Sequence, residues 1–304
     1  MATFLAGRAA AGTLGPAGTG TSAVPAFPFP EQAVRALGHA ARHGRWLARA
    51  AGTVPDLPGV DADRARVMVR DVLENAPAEG CWLGAGQAAE LLGVFGIPVA
   101  PTRMAGDADE AVRVATEIGF PVALKTAASG IAHKTDVGGV VLDLGSADQV
   151  REAFDGLAAR LGDTMAGAIV QPMIDPGLET IVGVVQDASF GPLVMFGLGG
   201  VATDVLGDVA FRILPLADVD ASELIRSVRA APLLFGYRGR PAVDVAALEV
   251  VLLRVGALAD AIPELSELDL NPVVVSERGV VALDVKLRLR TGAPGPGPLW
   301  RRLP

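Results

Sequence analysis

Apolar residues recur along this chain with two different periods, and the texture changes near residue 82. Between residues 31 and 74 the spacing is helical. Glu31 to Ala51 sets Val34, Leu37, Ala41 and Leu47 near one face. Pro55 and Pro58 interrupt it, and Asp61 then offers an N-cap for a second helix to about Glu74, carrying Val67, Val69 and Leu73. Residues 7 to 30 are rich in Gly, Ala, Pro, Ser and Thr and predict loop, with only Ala2 to Leu5 resembling a strand. Residues 75 to 81 predict a linker.

From Trp82 onward, helical and strand-like pieces alternate between Gly and Pro. The spacing predicts helices over Gly84 to Phe95, Asp107 to Ile118 (stopped by Gly119) and from Ser146 to Gly162. Ser146 with Gln149 three residues on reads as a capping box. Later helices are expected over Asp220 to Ala231 and Asp244 to Ile262, the second with Leu248, Val251, Val255, Leu258 and Ile262 on one stripe. Strands are expected at 121–126, 140–144, 169–174, 178–187, 192–200 and 211–216, with a final hairpin pairing 271–275 with 280–285. The tail from Thr291 to Pro304 is Gly/Pro-rich and predicts loop. Alternation of this kind predicts a mixed α/β fold (α/β with α+β character).

Composition narrows the functional classes. Hydrophobic residues make up 51% and aromatics 5% of 304 residues, which suits Val/Leu/Ala-rich sheet covered by helices. The net charge of −8 argues against nucleic acid as a principal partner. One cysteine, Cys81, excludes an intrachain disulfide and a cysteine zinc cluster, and fits a cytoplasmic location. Glu249, Arg254 and Asp260 interrupt the most apolar helix, so no membrane span is expected. His39 and His43 lie four apart on the first helix, but no third ligand follows locally, and they read as exposed helix residues.

Three clusters carry candidate chemistry. Lys125 ends a strand and enters a loop of small residues with His133 and a glycine pair at 138–139. A lysine there can meet a phosphate, and small residues let backbone N–H groups approach phosphate oxygens. His133, in the polar part of this loop, is a candidate nucleophile or base. The same segment also reads as an ordinary polar surface loop. The second cluster is Phe196 to Gly200 (FGLGG), where Gly199 and Gly200 permit close backbone approach, followed by Arg212, which can hold a phosphate bidentately. A glycine turn with a solvated arginine is the alternative. The third is ELDLNP, with Asp269 and Asn271 two apart and Asp284 on the next strand of the expected hairpin. Three hard oxygen donors suit Mg²⁺; a strand-start turn is the alternative. Taken together the clusters describe an ATP–Mg²⁺ site assembled from distant parts of the chain.

Lys125, HKTDVGGV (133–140), FGLGG (196–200), DVAFRILPL (208–216) and LDLNPVVV (268–275), in that order, resemble the ATP-grasp half of ADP-forming acyl-CoA synthetases, relatives of succinyl-CoA synthetase. The resemblance covers about residues 82 to 290. It implies an ATP-grasp fold of two α/β subdomains, with residues 1–81 as a remnant of a CoA-ligase domain plus linker and 291–304 as a loose tail. It implies conversion of acid, CoA and ATP to acyl-CoA, ADP and phosphate through phosphohistidines. His133 matches the phosphohistidine of this half. Lys125 matches the lysine on the nucleotide phosphates, with Arg212 joining the catalytic set. Gln171, Pro172, Met173 and Ile174 match the hinge flanking adenine, and Glu179 the carboxylate on the ribose. Asn271 and Asp284 match the Mg²⁺ ligands. Asp269 and Asp204 stand where relatives often have Glu. CoA and a small carboxylic acid would be handled by a CoA-binding and ligase subunit or domain in trans, in a homo- or hetero-oligomer. A nucleotide-sensing regulatory module, or a truncated piece of a ligase/acetyltransferase fusion, is the alternative. A carboxylate–amine ligase is a third, disfavoured by the HKTDVGG loop. Ala2 to Leu5 is expected to be a strand without its sheet.

Overall fold

A computed structural model describes residues 4–5, 12–14, 24–27, 29–127, 138–162, 165–200 and 207–291. The chain divides into two units, one ending at Ala51 and one beginning at Gly52.

In the first unit β1 (Phe4–Leu5), β2 (Gly12–Leu14) and β3 (Val24–Phe27) form a three-stranded sheet ordered β1-β3-β2. Two expectations therefore need correction. Residues 7 to 30 are not all loop, and Phe4–Leu5 pairs with β3 instead of lacking a sheet. Strands of only two to four residues show no alternation to read. Helix α1 (Pro30–Ala48) follows. Its anticipated apolar stripe is largely uncovered, with Val34 69% and Leu47 65% exposed, and only Ala33 is buried.

The second unit opens with α2 (Ala62–Leu73), whose N-cap Asp61 accepts a hydrogen bond from the Arg64 N–H. Ala65 and Val69 of α2 join the core of this unit. A two-residue strand, β4 (Cys81–Trp82), leads into α3 (Ala85–Val94).

A four-stranded sheet ordered β5-β8-β6-β7 comes next. It comprises β5 (Arg103–Ala105), β6 (Val122–Thr126), β7 (Val140–Leu144) and β8 (Ala168–Pro172). Helices α4 (Ala108–Ile118) and α5 (Ala147–Leu161) cover one face, burying Val114, Leu124, Leu157 and Val170 together. Both helices start as their sequence predicts, since the side chains of Asp107 and Ser146 accept from the N–H groups of Glu110 and Gln149. Each also ends at its expected glycine, Gly119 or Gly162, at positive φ.

The larger sheet runs β11-β10-β9-β12-β14-β4, with β13 paired to β12. Its strands are β9 (Leu178–Asp187), β10 (Gly191–Leu198), β11 (Val209–Ile213), β12 (Leu265–Ser276), β13 (Gly279–Ala282) and β14 (Val285–Leu289). Period-two alternation sorts its residues. Val182, Val184, Val194, Phe196, Leu268 and Leu270 turn toward α6 (Asp218–Ser227) and α7 (Val245–Ala261) and form the main core. The predicted α7 stripe is buried in full, from Leu248 through Ile262. Helix α6 begins two residues earlier than expected and ends at Ser227. The carboxylate of Asp220 turns back to accept from the Ala217 N–H at 3.2 Å, closing the first turn. No helix among the described residues is long and apolar enough to cross a membrane.

The C-terminal hairpin also differs from its sequence reading. β12 begins at Leu265, because Leu268 and Leu270 extend the alternation into the core. The returning strand is split at Leu283–Asp284.

Candidate nucleotide site

Two sheets meet at one backbone carbonyl. On β6, Ala123 lies opposite Gln171 of β8, so Ala123, Lys125 and Gln171 share a face, opposite the one packed on α4 and α5. From that face the Lys125 ammonium donates to the Leu283 carbonyl at 3.0 Å, and the Gln171 side-chain amide donates to the same carbonyl at 3.1 Å. Lys125 is 9% exposed and Gln171 2%. A cation so enclosed is costly unless anions or dipoles surround it, and Leu283 immediately precedes Asp284. The phosphate lysine and the metal-ligand segment anticipated from sequence are thereby held together, although 158 residues separate Lys125 from Leu283.

The segment expected to hold the metal is built at the break in the returning strand. The Asn271 N–H donates to the Asp284 carbonyl at 3.2 Å, and the Leu283 N–H to the Pro272 carbonyl at 2.9 Å. The pairing of β12 with β9 shifts register between Leu270 and Val273. The period of two linking Asp269 to Asn271 is therefore interrupted just beyond Leu270. Asp269 lies opposite Gly183 on β9 and Lys286 on β14. The donor chemistry of Asp269, Asn271 and Asp284, two carboxylates and an amide oxygen, fits a hard cation such as Mg²⁺.

The FGLGG run gains a physical reading from the same alternation. Phe196 and Leu198 face the core, so Gly197 and Gly199 lie on the other face, opposite Ile181 and next to Glu179. Gly199 donates its N–H to the Glu179 carbonyl at 2.8 Å, and an added Cβ would lie 3.0 Å from the Glu179 Cβ. Gly183, on the same face, would place a Cβ 2.8 Å from the Leu268 carbonyl oxygen. Three glycines on this face thus make room for their neighbours: Met195 closes over Gly183, Val209 over Gly197, and the Glu179 backbone lies against Gly199. Gly200 follows at φ +96°. Glu179 is exposed on this face, and the segment after Gln171, expected as a hinge, is tied down by the Met173 N–H, which donates to the Pro121 carbonyl at 3.1 Å. Pro172 and Ile174 flank it, half-buried.

Arg212 is the exception. It lies opposite Val194, hence on the helix-covered face. Its guanidinium donates to the Phe211 carbonyl and sits 3.8 Å from Glu223 of α6. The structure does not bring it to the face holding Asp269. The expectation missed this because FRI reads as a strand without revealing which residue faces in. His133 and Asp204 lie outside the described residues. Lys286, two positions after Asp284, was not singled out from the sequence. Its alternation with buried Leu287 and Leu289 is the signal that would have placed it on the open face.

Asp208 anchors the chain just before β11. Its two carboxylate oxygens accept from the N–H groups of Arg229 and Ala230, each at 2.9 Å. These bonds, the one from Arg229 foremost, hold its carboxyl below the usual aspartate value. Asp218 is lowered in the same way, first by the Thr53 N–H and then by the Val219 N–H.

The profile of the ATP-grasp domain family matches residues 75–289. The chain is 39% identical over 225 residues to the acetate–CoA ligase [ADP-forming] I subunit beta of Pyrococcus furiosus, covering 72% of this chain and 97% of that one. It is 38% identical over 273 residues to the acetate–CoA ligase [ADP-forming] I of Archaeoglobus fulgidus, covering 88% of this chain but only 39% of that longer one. Among solved structures, the dinucleotide forming acetyl-coenzyme A synthetase 1 of Ca. Korarchaeum cryptofilum in complex with coenzyme A, Ca-AMPCP and HgCl+ superposes with a TM-score of 0.69. It is 38% identical, covering 74% of this chain and 100% of that one. The same enzyme with coenzyme A and Mg-AMPPCP, its phosphohistidine segment pointing towards the nucleotide binding site, gives 0.64 over the same coverage. By these likenesses the chain belongs to the ATP-grasp family, in the branch of the ADP-forming acid–CoA ligases.

Proposed function

We propose that this chain binds ATP and Mg²⁺ and carries out the phosphoryl-transfer half of an ADP-forming acyl-CoA synthetase reaction. The observation that carries the reading is the meeting of Lys125 and Gln171 with Leu283, next to Asp284. A lysine suited to phosphate and a hard-donor segment from two sheets stand together, as a nucleotide with its cation requires. Lys125 neutralises the phosphates. Gln171, Pro172, Met173 and Ile174 line the adenine side, Glu179 takes the ribose, and Gly199 and Gly200 leave room for the nucleotide. Asn271 and Asp284 would hold Mg²⁺, which when bound supplies charge neutralisation at the transferring phosphoryl group.

In the transfer, a ring nitrogen of His133 forms a bond to the γ-phosphorus of ATP as the bond from that phosphorus to the bridging oxygen breaks, and ADP leaves. The reverse step makes ATP from the phosphohistidine and ADP. Catalysis rests on positioning and charge neutralisation. The relatives named as beta subunits support a partner, a CoA-binding subunit or domain in trans that takes CoA and a carboxylic acid. The longer single-chain relatives support the same division of labour.

Incubation with γ-³²P-ATP, Mg²⁺ and a CoA-binding partner is expected to leave acid-labile label on the chain, lost in His133→Ala. No label under those conditions overturns the transfer role. ATP binding without label, in turn, would support a nucleotide-sensing module.

A further inference from the structure

The returning strand β14 carries two cations on its outward face, Lys286 and Arg288. Leu287 and Leu289 point into the core, so Lys286 and Arg288 point to the open face. Arg288 is taken up with Trp82, its guanidinium carbon 5.7 Å from the ring centre, and with the Glu79 carbonyl at 3.5 Å. Lys286 stands nearer the cleft, two residues past Asp284 and three past Leu283, the carbonyl on which Lys125 and Gln171 converge. Directly across the ladder lies Asp269, whose other neighbour in the row is Gly183. Opposed residues of an antiparallel pair have Cβ atoms about 4.5–5.5 Å apart. Lys286 is therefore the side chain beside Asp269, and the row continues through Gly183 to Met195, whose Cε lies 3.2 Å from where a Gly183 Cβ would stand.

Resting on the ATP reading above, we propose that Lys286 is a second phosphate-binding lysine, and that Asp269 positions it. Lys125 would approach the nucleotide phosphates from the four-stranded sheet and Lys286 from the seven-stranded one. Asn271 and Asp284 then remain as the metal donors. The charge pattern supports this division. Two carboxylates side by side would repel a polyphosphate. A lysine opposite one of them offsets that charge and offers its own ammonium, a compact and mobile donor, to a phosphate oxygen. An ordinary cross-strand ion pair, worth about 0.2–1 kcal/mol to the sheet, predicts no effect on ligand binding.

Binding of ATP and of AMP to the full chain, measured by calorimetry in EDTA and again across a Mg²⁺ titration, separates the two. Wild-type binding of ATP tests the ATP reading itself, and its absence overturns both. Given that binding, Lys286→Met is expected to weaken ATP in EDTA about tenfold or more while leaving AMP nearly unchanged, since a charged hydrogen bond to the outer phosphates is lost. Lys286→Arg is expected to recover most of the loss. Asp269→Asn should reproduce the Lys286→Met loss, with the double variant no weaker than either single, and should shift Mg²⁺ half-saturation far less than Asp284→Asn. ATP binding in EDTA unaffected by Lys286→Met, in a variant whose melting temperature shows it folded, overturns the proposal. A Mg²⁺ shift in Asp269→Asn as large as that of Asp284→Asn overturns it equally, by making Asp269 a metal ligand.

Discussion

The two faces of the seven-stranded sheet are made by the same strands and differ in everything else. One face presents Val182, Val194, Phe196 and Leu270, fully buried under α6 and α7. The other presents Glu179, Gly183, Gly197, Gly199, Asp269 and Lys286. Neighbouring residues along a strand thus serve different purposes, and the division is set by period-two geometry alone. The covered face stabilises the fold through area removed from water. The open face contributes little to stability and spends its residues on shape and charge. Substitutions on the two faces should therefore fail in different ways.

Phe196→Ala on the covered face is expected to have the largest effect, a loss of about 3–5 kcal/mol in denaturant unfolding. ATP affinity of the protein that remains folded should be little changed. An equal loss of affinity would show that the two faces are not separable.

Lys125→Ala inverts that outcome. Affinity for ATP should fall by about ten- to a hundredfold, the equivalent of a charged hydrogen bond of about 1.5–3 kcal/mol. The measurement is a binding isotherm, and unchanged affinity would remove the phosphate lysine from the site.

Gly199→Ala sharpens the comparison. The new methyl would press on the Glu179 backbone and Cβ at 3.0–3.2 Å. Strain of about 1–3 kcal/mol is expected in unfolding, with ATP binding weakened as well because Glu179 is displaced.

Asp208→Asn should have the smallest effect, and it depends on pH. The folded carboxyl lies below its unfolded value, so its contribution is fully present above about pH 4. It is lost as pH falls through the lowered folded value. The melting temperature of Asp208→Asn should thus sit below wild type at pH 7, and the gap should close in acid. A gap independent of pH would mean the backbone bonds from Arg229 and Ala230 do not favour the charged form.

The success of the sequence reading varied with the signal. Asp61 and Ser146 were legible as caps because capping needs only neighbouring residues. The α7 stripe was legible because five apolar positions share one period. Leu178–Asp187 was legible from its length and β-branched content. Residues 12–27 were not, since short Gly- and Pro-containing strands carry no period. The exposed Val34 and Leu47 show the complementary failure: a helical stripe reports amphipathicity but not what covers it. In the site, Lys125, Asn271 and Asp284 were suggested by residue type next to strand ends. Arg212 was suggested by type as well, yet it faces α6, because type says nothing about which side of a strand a residue takes.

The sequence by itself determined the local grammar of this protein: where helices are capped, where glycine breaks a run, and which strands alternate Phe196, Leu198 and Leu270 inward. Those choices depend on side chains within a few residues of one another. Only the tertiary structure decided that Lys125 and Gln171 share the Leu283 carbonyl, that Arg212 lies behind the sheet, and that Lys286 stands across from Asp269. Register between strands far apart in the chain is set by the collective burial of both partners, and no single segment carries that information.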